Sequence, residues 1–268
     1  MNFIISMQAE ARPLIDKFRL TKRNRPSPFP VFESKLHKVI ISGIGRMQAA
    51  AATGFLLGEM KNMHGAIINL GISGHGEFPT GTPYLANRVF HPENKTIHYP
   101  PPVLNLPIAR SALQTCDSPE MKYPQPIGYD MEAHAFCSTA YKGITRELVQ
   151  VTKVVSDNPK DPLASFHPKI ATTLISGQIE SIAEIVEQLE NLSRELKLEP
   201  EVLDLIGQVK SVHHFSVTQS HQLEKLVRHA HALGFEIAEL KSLLASSPNG
   251  KSLLSSLDQK LEPLRMLQ

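Results

Sequence analysis

The sequence predicts an α/β domain followed by an all-helical C-terminal module, and three observations carry this prediction. First, short apolar strands alternate with glycine turns and helices up to about residue 160, which is the rhythm of an α/β sheet with ligand-binding loops at its strand ends. Second, the proline-rich stretch 91–126 interrupts this rhythm as a long loop region. Third, beyond Glu199 the apolar residues recur at helical spacing.

The elements follow from local patterns along the chain. The first strand, NFIIS at residues 2–6, leads into a helix that carries Glu10. The later patterns predict, in order, a loop at 21–30, a hairpin at 31–42, a helix at 46–60, strands at 65–71, 82–90 and 111–117, a helix at 132–142 and a strand at 150–157. An apolar period near 3.6 predicts one long amphipathic helix from Ile170 to Leu196. We therefore expect two domains, 1–196 and 197–268.

The composition of the chain limits the functional classes to which the protein can belong. A net charge of +2 gives no indication of binding to nucleic acid or to an anionic membrane surface. Two cysteines without a CxxC pair suit a reducing compartment. No run of 18 apolar residues predicts a membrane span, and MNFIISMQAEARPL does not have the pattern of a secretory leader. We expect a cytoplasmic enzyme or binding protein.

Metal and serine-hydrolase sites are not expected. The helical tail contains a His213-His214 pair and two further histidines at 229 and 231, without a cysteine or acid at ligand spacing. The motif GISGHG has the wrong spacing for a nucleophile elbow. The sequence therefore predicts neither a metal nor another cofactor.

One glycine loop, SGIGR at residues 42–46, opens a predicted helix. Its backbone N–H groups have the orientation that suits an anion or a polar sugar, but a purely structural turn fits equally well. The loop lacks the Lys-Ser/Thr ending of a P-loop and the spacing of a dinucleotide site. Arg46 places a cation where the helix dipole disfavours it, so Arg46 is either solvated or present for a ligand.

Three acids stand at element boundaries. Asp157 ends an apolar strand, where α/β folds build their sites, although a helix N-cap is an alternative. Glu10 fits a solvated helix position equally well, and Glu132 fits an acid in the first turn of a helix. His134 is expected to be packed or hydrogen-bonded rather than catalytic.

Together, the motifs resemble a known superfamily. MQAEARPL, SGIGRMQAAAATGFLL with INLGISG, YDMEAHAF and VVSDN occur in this order. That order resembles the nucleoside phosphorylase and nucleosidase superfamily, and most closely the methylthioadenosine/S-adenosylhomocysteine nucleosidases. The resemblance covers roughly residues 1–190. It implies a mixed, partly closed sheet with helices on both sides.

The resemblance also implies roles for single residues. Glu10 is expected to orient and deprotonate the attacking water. Met131 and Glu132 are expected to line the ribose, with Glu132 accepting from its hydroxyls. Asp157 is expected to protonate or hydrogen-bond N7 of the departing purine, with help from Ser156. The two glycine loops complete the predicted substrate site with Ile44, Arg46, Ser73 and Gly74.

The activity that this resemblance implies is hydrolysis of the N-glycosidic bond of a purine nucleoside. Phosphorolysis is the alternative, since Arg46 lies beside a glycine loop; a nucleoside-binding protein without turnover and an inert scaffold are two others. The chain departs from the family pattern at Ile72, at Lys153 and in the short 91–126 region. A homodimer is expected from the family, and the C-terminal helices are expected to mediate association.

Overall fold

The computed structural model describes residues 1–60, 65–162, 167–196, 199–245 and 247–265. At residues 237, 243–245, 264 and 265 it describes the backbone alone. Contacts between Cα atoms divide the chain into two compact units, Met1–Leu196 and Lys197–Gln268. Each unit has an apolar core of its own.

Strands and helices alternate in the first unit. Its described strands are β1 (Asn2–Ile5), β2 (Thr21–Lys22), β3 (Val31–Glu33), β4 (Lys38–Ile41), β5 (Ile67–His75), β6 (Pro83–Phe90), β7 (Ala109–Thr115), β8 (Gly128–Asp130) and β9 (Val149–Asp157). Its described helices are α1 (Gln8–Lys17), α2 (Arg46–Glu59), α3 (Ala133–Ala140), α4 (Pro168–Gly177) and α5 (Ile179–Glu195).

Within the described part of the chain, these strands form one nine-stranded sheet in the order β2-β3-β4-β1-β5-β8-β7-β6-β9. β5 also pairs with β9, so the strands from β5 to β9 in this order close into a barrel. The sheet is mixed, because β5 runs parallel to β1 and β9 but antiparallel to β8. The predicted fold class, a mixed and partly closed sheet flanked by helices, is confirmed.

The barrel is held together by β5 and β9. Every residue of β9 is buried, and its sequence VQVTKVVSD is rich in the β-branched residues that pack well in a strand buried on both faces. β5 is buried over most of its length. Near their carboxyl ends, β5 carries Gly71 and Gly74 and β9 carries Asp157, so the apolar core holds these residues in position.

Three predicted elements differ from the structure. The strand expected at 65–71 and the glycine turn expected after it form one longer strand, because β5 runs from Ile67 to His75. The single helix expected from Ile170 to Leu196 is two helices, because the chain turns at Gln178 (φ −113°) directly after Gly177. Glycine weakens a helix interior, and an apolar period alone does not reveal a break between two helices that bury the same face. The loop expected at 21–30 contains β2, a two-residue strand whose pairing with β3 leaves no periodic signal.

The second unit consists of helices in its described residues, as predicted: α6 (Pro200–Val212), α7 (Val217–Ala232), α8 (Ile237–Ala245) and α9 (Gly250–Arg265). Ser216 caps α7, since its Oγ accepts from the backbone N of Gln219 at 3.2 Å. One apolar cluster joins the helices: Val202, Leu205, Ile206, Val209, Leu223, Leu226, Val227, Ala230, Leu240, Leu253, Leu254, Leu257 and Leu261. Across the described ranges of both units, no helix combines the length and apolarity needed to cross a bilayer.

Candidate active site

The carboxyl ends of β5 and β9 lie side by side at the centre of the candidate site. The two strands are parallel, with Gly71 opposite Lys153 and Gly74 opposite Asp157. Their register shifts between Ser73 and Gly74, and such irregularities commonly redirect side chains next to active sites. Ligands of α/β sheets bind at this edge, so the predicted residues of both strands meet where the fold favours a site.

Glu10 is buried against the end of β5. Its side chain is only 2% exposed. Oε2 accepts from Ser6 Oγ at 2.6 Å and from the backbone N of Met7 at 3.0 Å, and Oε1 accepts from the backbone N of Ile72 at 2.9 Å. A Cβ at Gly71 would lie 2.7 Å from Oε1, so this close approach requires glycine. The structure contradicts the alternative of a solvated helix residue, and burial raises the pKa of Glu10.

Glu132 lies at the start of α3 but does not cap that helix with its side chain. Its Oε1 instead accepts from the backbone N of Gly45 at 2.7 Å. Gly43 and Gly45 have φ values of 87° and 101°, which favour glycine and turn this N–H toward the carboxylate. The glycine loop therefore does face an anion, although the anion belongs to the protein. Burial raises the pKa of Glu132 to about 7.

Lys153 and Asp130 form a buried ion pair beside these acids. Nζ lies 2.9 Å from Oδ2, with side-chain exposures of 1% and 0%. Asp130 also accepts from Thr115 Oγ1 at 2.7 Å and from the backbone N of Ala133 at 2.8 Å. These donors satisfy both carboxylate oxygens, which is the condition for a buried ion pair to persist.

Glu10, Asp130, Glu132 and Lys153 interact electrostatically and make up what we term the charge cluster. Burial favours loss of the lysine proton, but attraction to the three carboxylates outweighs it and raises the pKa of Lys153. Lys153 in turn opposes the rise in the pKa of Glu10 and Glu132. Because three acids face one lysine, loss of the protons from Glu10 and Glu132 leaves the cluster with a net negative charge.

Asp157 ends β9 and is 7% exposed. Ser156 Oγ donates to its Oδ1, and Tyr123 Oη donates to its Oδ2. A Cβ at Gly74 would lie 2.9 Å from Oδ2 and 2.8 Å from Cε1 of Tyr123, so the ring and the carboxylate both pack against this glycine. The helix after β9 begins at Pro168 with His167 as its N-cap. The structure therefore contradicts the alternative that Asp157 caps a helix.

Arg46 and Ile44 lie on the exposed side of the glycine loop. Arg46 pairs with Asp117, with Nη2 2.7 Å from Oδ1, and Ile44 is 55% exposed. The hydrogen bond from Arg46 lowers the pKa of Asp117. Arg46 is thus half-buried in a surface ion pair rather than aimed at a buried carboxylate.

Ser73 and Met131 differ in accessibility. Ser73 is buried, and its Oγ shares a 2.7 Å hydrogen bond with Tyr84 Oη. Its hydroxyl is therefore already hydrogen-bonded to a side chain of strand β6. Met131, between Asp130 and Glu132, is half-buried, as expected of a residue at the edge of a site.

Three neighbours of the predicted acids were not assigned a role from the sequence. Asp130 stands two residues before Glu132 in YDMEAHAF, and its position directly before Met131 was the available signal. Lys153 was noted as a departure from the family pattern, without its ion pair. Tyr123 lies in the 91–126 stretch, which the sequence marks as a loop region without indicating the hydrogen bond to Asp157.

Histidines take structural positions near the site. His134 is buried, and its Nε2 lies 3.1 Å from the carbonyl oxygen of Thr96, as expected for a packed side chain. Among the residues that the structure describes, no three His, Cys, Asp or Glu side chains are grouped to hold a metal ion.

Comparison of the sequence with protein-family models gives no match, and no curated protein matches the chain either. Solved structures do match. The 5′-methylthioadenosine nucleosidase of Arabidopsis thaliana in apo form has a TM-score of 0.57 at 18% identity, over 70% of this chain and 94% of that chain. The adenine complex of the nucleosidase from Colwellia psychrerythraea has a TM-score of 0.57 at 17% identity, over 70% and 94%.

A third structure, the Neisseria meningitidis 5′-methylthioadenosine/S-adenosylhomocysteine nucleosidase in complex with methylthio-immucillin-A, has a TM-score of 0.54. It is 18% identical, over 69% of this chain and 98% of that chain. At these identities the likeness establishes the fold. The chain thus has the fold of these nucleosidase structures.

Proposed function

We propose that this protein hydrolyses the N-glycosidic bond of a purine nucleoside and releases the free base. The substrate class is methylthioadenosine, adenosylhomocysteine or a larger adenosyl adduct. The observation that carries the proposal is the arrangement of three buried acids, Glu10, Glu132 and Asp157, around the carboxyl ends of β5 and β9. The names of the structural neighbours, one of them bound to adenine, support it.

The charge pattern suits this reaction. Cleavage of an N-glycosidic bond passes through a sugar with oxocarbenium character, so catalysis requires negative charge near the ribose and proton donation to the base. The charge cluster provides the first, with Glu132 accepting from the ribose hydroxyls beside Met131. Asp157, held by Ser156, provides the second at N7 of the purine.

In the proposed step, Glu10 takes a proton from water, and the water oxygen bonds to C1′ of the sugar. The bond between C1′ and N9 breaks, its electron pair stays with the base, and a proton that Asp157 has taken up from solvent passes to N7. Glu10 suits a general base because burial raises its pKa, which makes the carboxylate a better proton acceptor. Its three hydrogen-bond donors fix the direction of the carboxylate.

Water is favoured over phosphate as the nucleophile. A phosphate dianion would approach a cluster with three acids and one lysine, where like charges repel. The backbone N of Gly45, a candidate anion donor, already donates to Glu132. Arg46, the residue that favoured phosphorolysis in the sequence, is paired with Asp117.

A protein that binds a nucleoside without turnover is the second candidate. The contact that favours it is the hydrogen bond from Tyr123 to Asp157, which occupies an oxygen that the base would need. Ligand-induced thermal stabilisation without base release would support this candidate.

The test is release of free base from a panel of purine nucleosides, with and without phosphate. We expect release without phosphate, and a loss of at least about 100-fold in Asp157→Asn, since general acid catalysis typically contributes ~10²–10⁴-fold. Glu10→Gln is expected to lose activity as well. Asp16→Asn is the matched control, since Asp16 lies on the same helix but is exposed and pairs with Arg12. Strict dependence on phosphate would instead identify a phosphorylase.

The assembly and location of the protein are separate proposals. The expected homodimer, with the C-terminal helices mediating association, is tested by light scattering of the full chain and of a variant that ends at residue 196. Cytoplasmic location is tested by cell fractionation.

A further inference from the structure

Tyr123 reaches from an exposed loop into the candidate site. Residues 117–126, all of which the structure describes, connect β7 to β8 and are exposed or half-buried except for Tyr123, which is 7% exposed. Its ring packs against Gly74 and lies edge-on to the ring of Tyr129, at an interplanar angle of 69° and with centroids 6.2 Å apart. The side chain thus anchors the loop beside Asp157.

The hydroxyl of Tyr123 is hydrogen-bonded to the carboxylate of Asp157. It donates to Oδ2, while Ser156 donates to Oδ1, so each carboxylate oxygen has an internal donor. Burial and Asp157 raise the pKa of Tyr123, so the phenol keeps its proton. A purine that approaches Asp157 must therefore compete with Tyr123 for Oδ2.

The backbone makes this anchor reversible. Tyr123 has φ 47°, a left-handed conformation that costs a residue with a side chain conformational free energy. The loop after it is fixed independently, because Tyr129 Oη accepts from the backbone N of Gln125 at 2.9 Å and Gly76 N donates to Ile127 O at 2.9 Å. Tyr123 can therefore leave Asp157, with relief of strain, while residues 125–127 stay in place.

We propose that Tyr123 is the gate of the base site: its hydroxyl holds Asp157 until a base that brings its own hydrogen-bond donor replaces it. This inference rests on the proposed function, which makes Asp157 the base-binding acid. A 6-aminopurine supplies such a donor through its exocyclic amino group. A 6-oxopurine presents an acceptor at the same edge and does not replace the phenol donor.

The experiment is calorimetric titration of adenine into the full chain and its variants. We expect Tyr123→Phe to bind adenine roughly tenfold more tightly, because the variant removes the hydrogen bond that competes for Oδ2 of Asp157. Tyr99→Phe is the control: Tyr99 is 57% exposed and lies outside residues 117–126, so loss of its hydroxyl leaves the contact between Tyr123 and Asp157 in place, and the affinity for adenine is expected to stay unchanged. Equal or weaker binding by Tyr123→Phe would overturn the proposal, and so would a failure of both proteins to bind adenine.

A second measurement needs no variant. Hydrogen–deuterium exchange at amides 117–122 is expected to become faster when adenine binds, because the anchor leaves, and slower or unchanged exchange would count against the gate. The two proposals also fail separately. Tighter adenine binding by Tyr123→Phe without any nucleoside turnover would support the gate and refute the proposed hydrolase activity. Nucleoside turnover with an unaltered adenine affinity in Tyr123→Phe would support the hydrolase activity and refute the gate.

Discussion

Glu132→Gln is expected to make the protein more stable while it removes the residue proposed to hold the ribose. Burial raises the pKa of this carboxyl to about 7, so the folded state holds its proton more tightly than the unfolded chain does. The neutral amide of glutamine avoids the free-energy cost of burying a charged carboxylate. Its carbonyl oxygen can still accept from the backbone N of Gly45, which now lies 2.7 Å from the carboxylate.

The magnitude follows from the pKa. The interval between the ordinary value of 4.5 and about 7 corresponds to about 3 kcal/mol at 1.36 kcal/mol for each pKa unit. Below pH 4.5 Glu132 is protonated in both the folded and the unfolded state, so it does not lower the free energy of unfolding. As the pH rises from 4.5 to 7 the unfolded chain loses the proton first, so stability falls, and the full cost is present above pH 7.

The assay is urea unfolding of both proteins at pH 5 and pH 8. We expect an advantage for Glu132→Gln of about 1 kcal/mol in the free energy of unfolding at pH 5 and of about 3 kcal/mol at pH 8. Glu59→Gln is a control of opposite sign, because hydrogen bonds from Arg23 lower the pKa of Glu59, and its loss should destabilise the protein at pH 8. An advantage for Glu132→Gln that is the same at both pH values would refute the reasoning.

Three further predictions concern the same site. Lys153→Met is expected to lower the free energy of unfolding by about 3–5 kcal/mol, because it leaves a buried carboxylate unpaired, and the added change Asp130→Asn should restore part of it in urea unfolding. The same Lys153→Met variant removes a charge that opposes the rise in the pKa of Glu10; the acid limb of kcat/KM for base release should therefore move to higher pH, and an unmoved limb would argue against Glu10 as the base. Gly74→Ala is expected to cost about 1–3 kcal/mol in thermal unfolding, since its Cβ would meet Tyr123 at 2.8 Å, whereas Gly58→Ala, with open space around it, should not destabilise.

Much of the architecture was predictable because the signals are local. The apolar run that ends at Asp157 predicted β9, and the apolar run at 65–71 predicted the first part of β5. The continuation of β5 to His75 was missed, because the glycines there indicated a turn. The helix that carries Glu10 was predicted from its apolar period. The break at Gln178 was missed because both helices continue the same apolar face.

The functions of individual acids were less predictable, because each had an ordinary alternative. Glu10 as a solvated residue and Asp157 as a helix cap were both reasonable from local sequence, and both are contradicted by burial and hydrogen bonding. Local sequence records which residue types are present, but the environment that decides a carboxylate's role comes from distant segments.

By itself, the sequence determined the α/β class, the helical tail and which carboxylates stand at strand and helix ends. Only the tertiary structure decided their partners: Gly45 for Glu132, Lys153 for Asp130 and Tyr123 for Asp157. The physical reason is that periodicity and turn chemistry act over a few neighbouring residues. These contacts instead depend on the pairing of β5 with β9 and on a loop that returns to the barrel end, which join residues far apart in the chain.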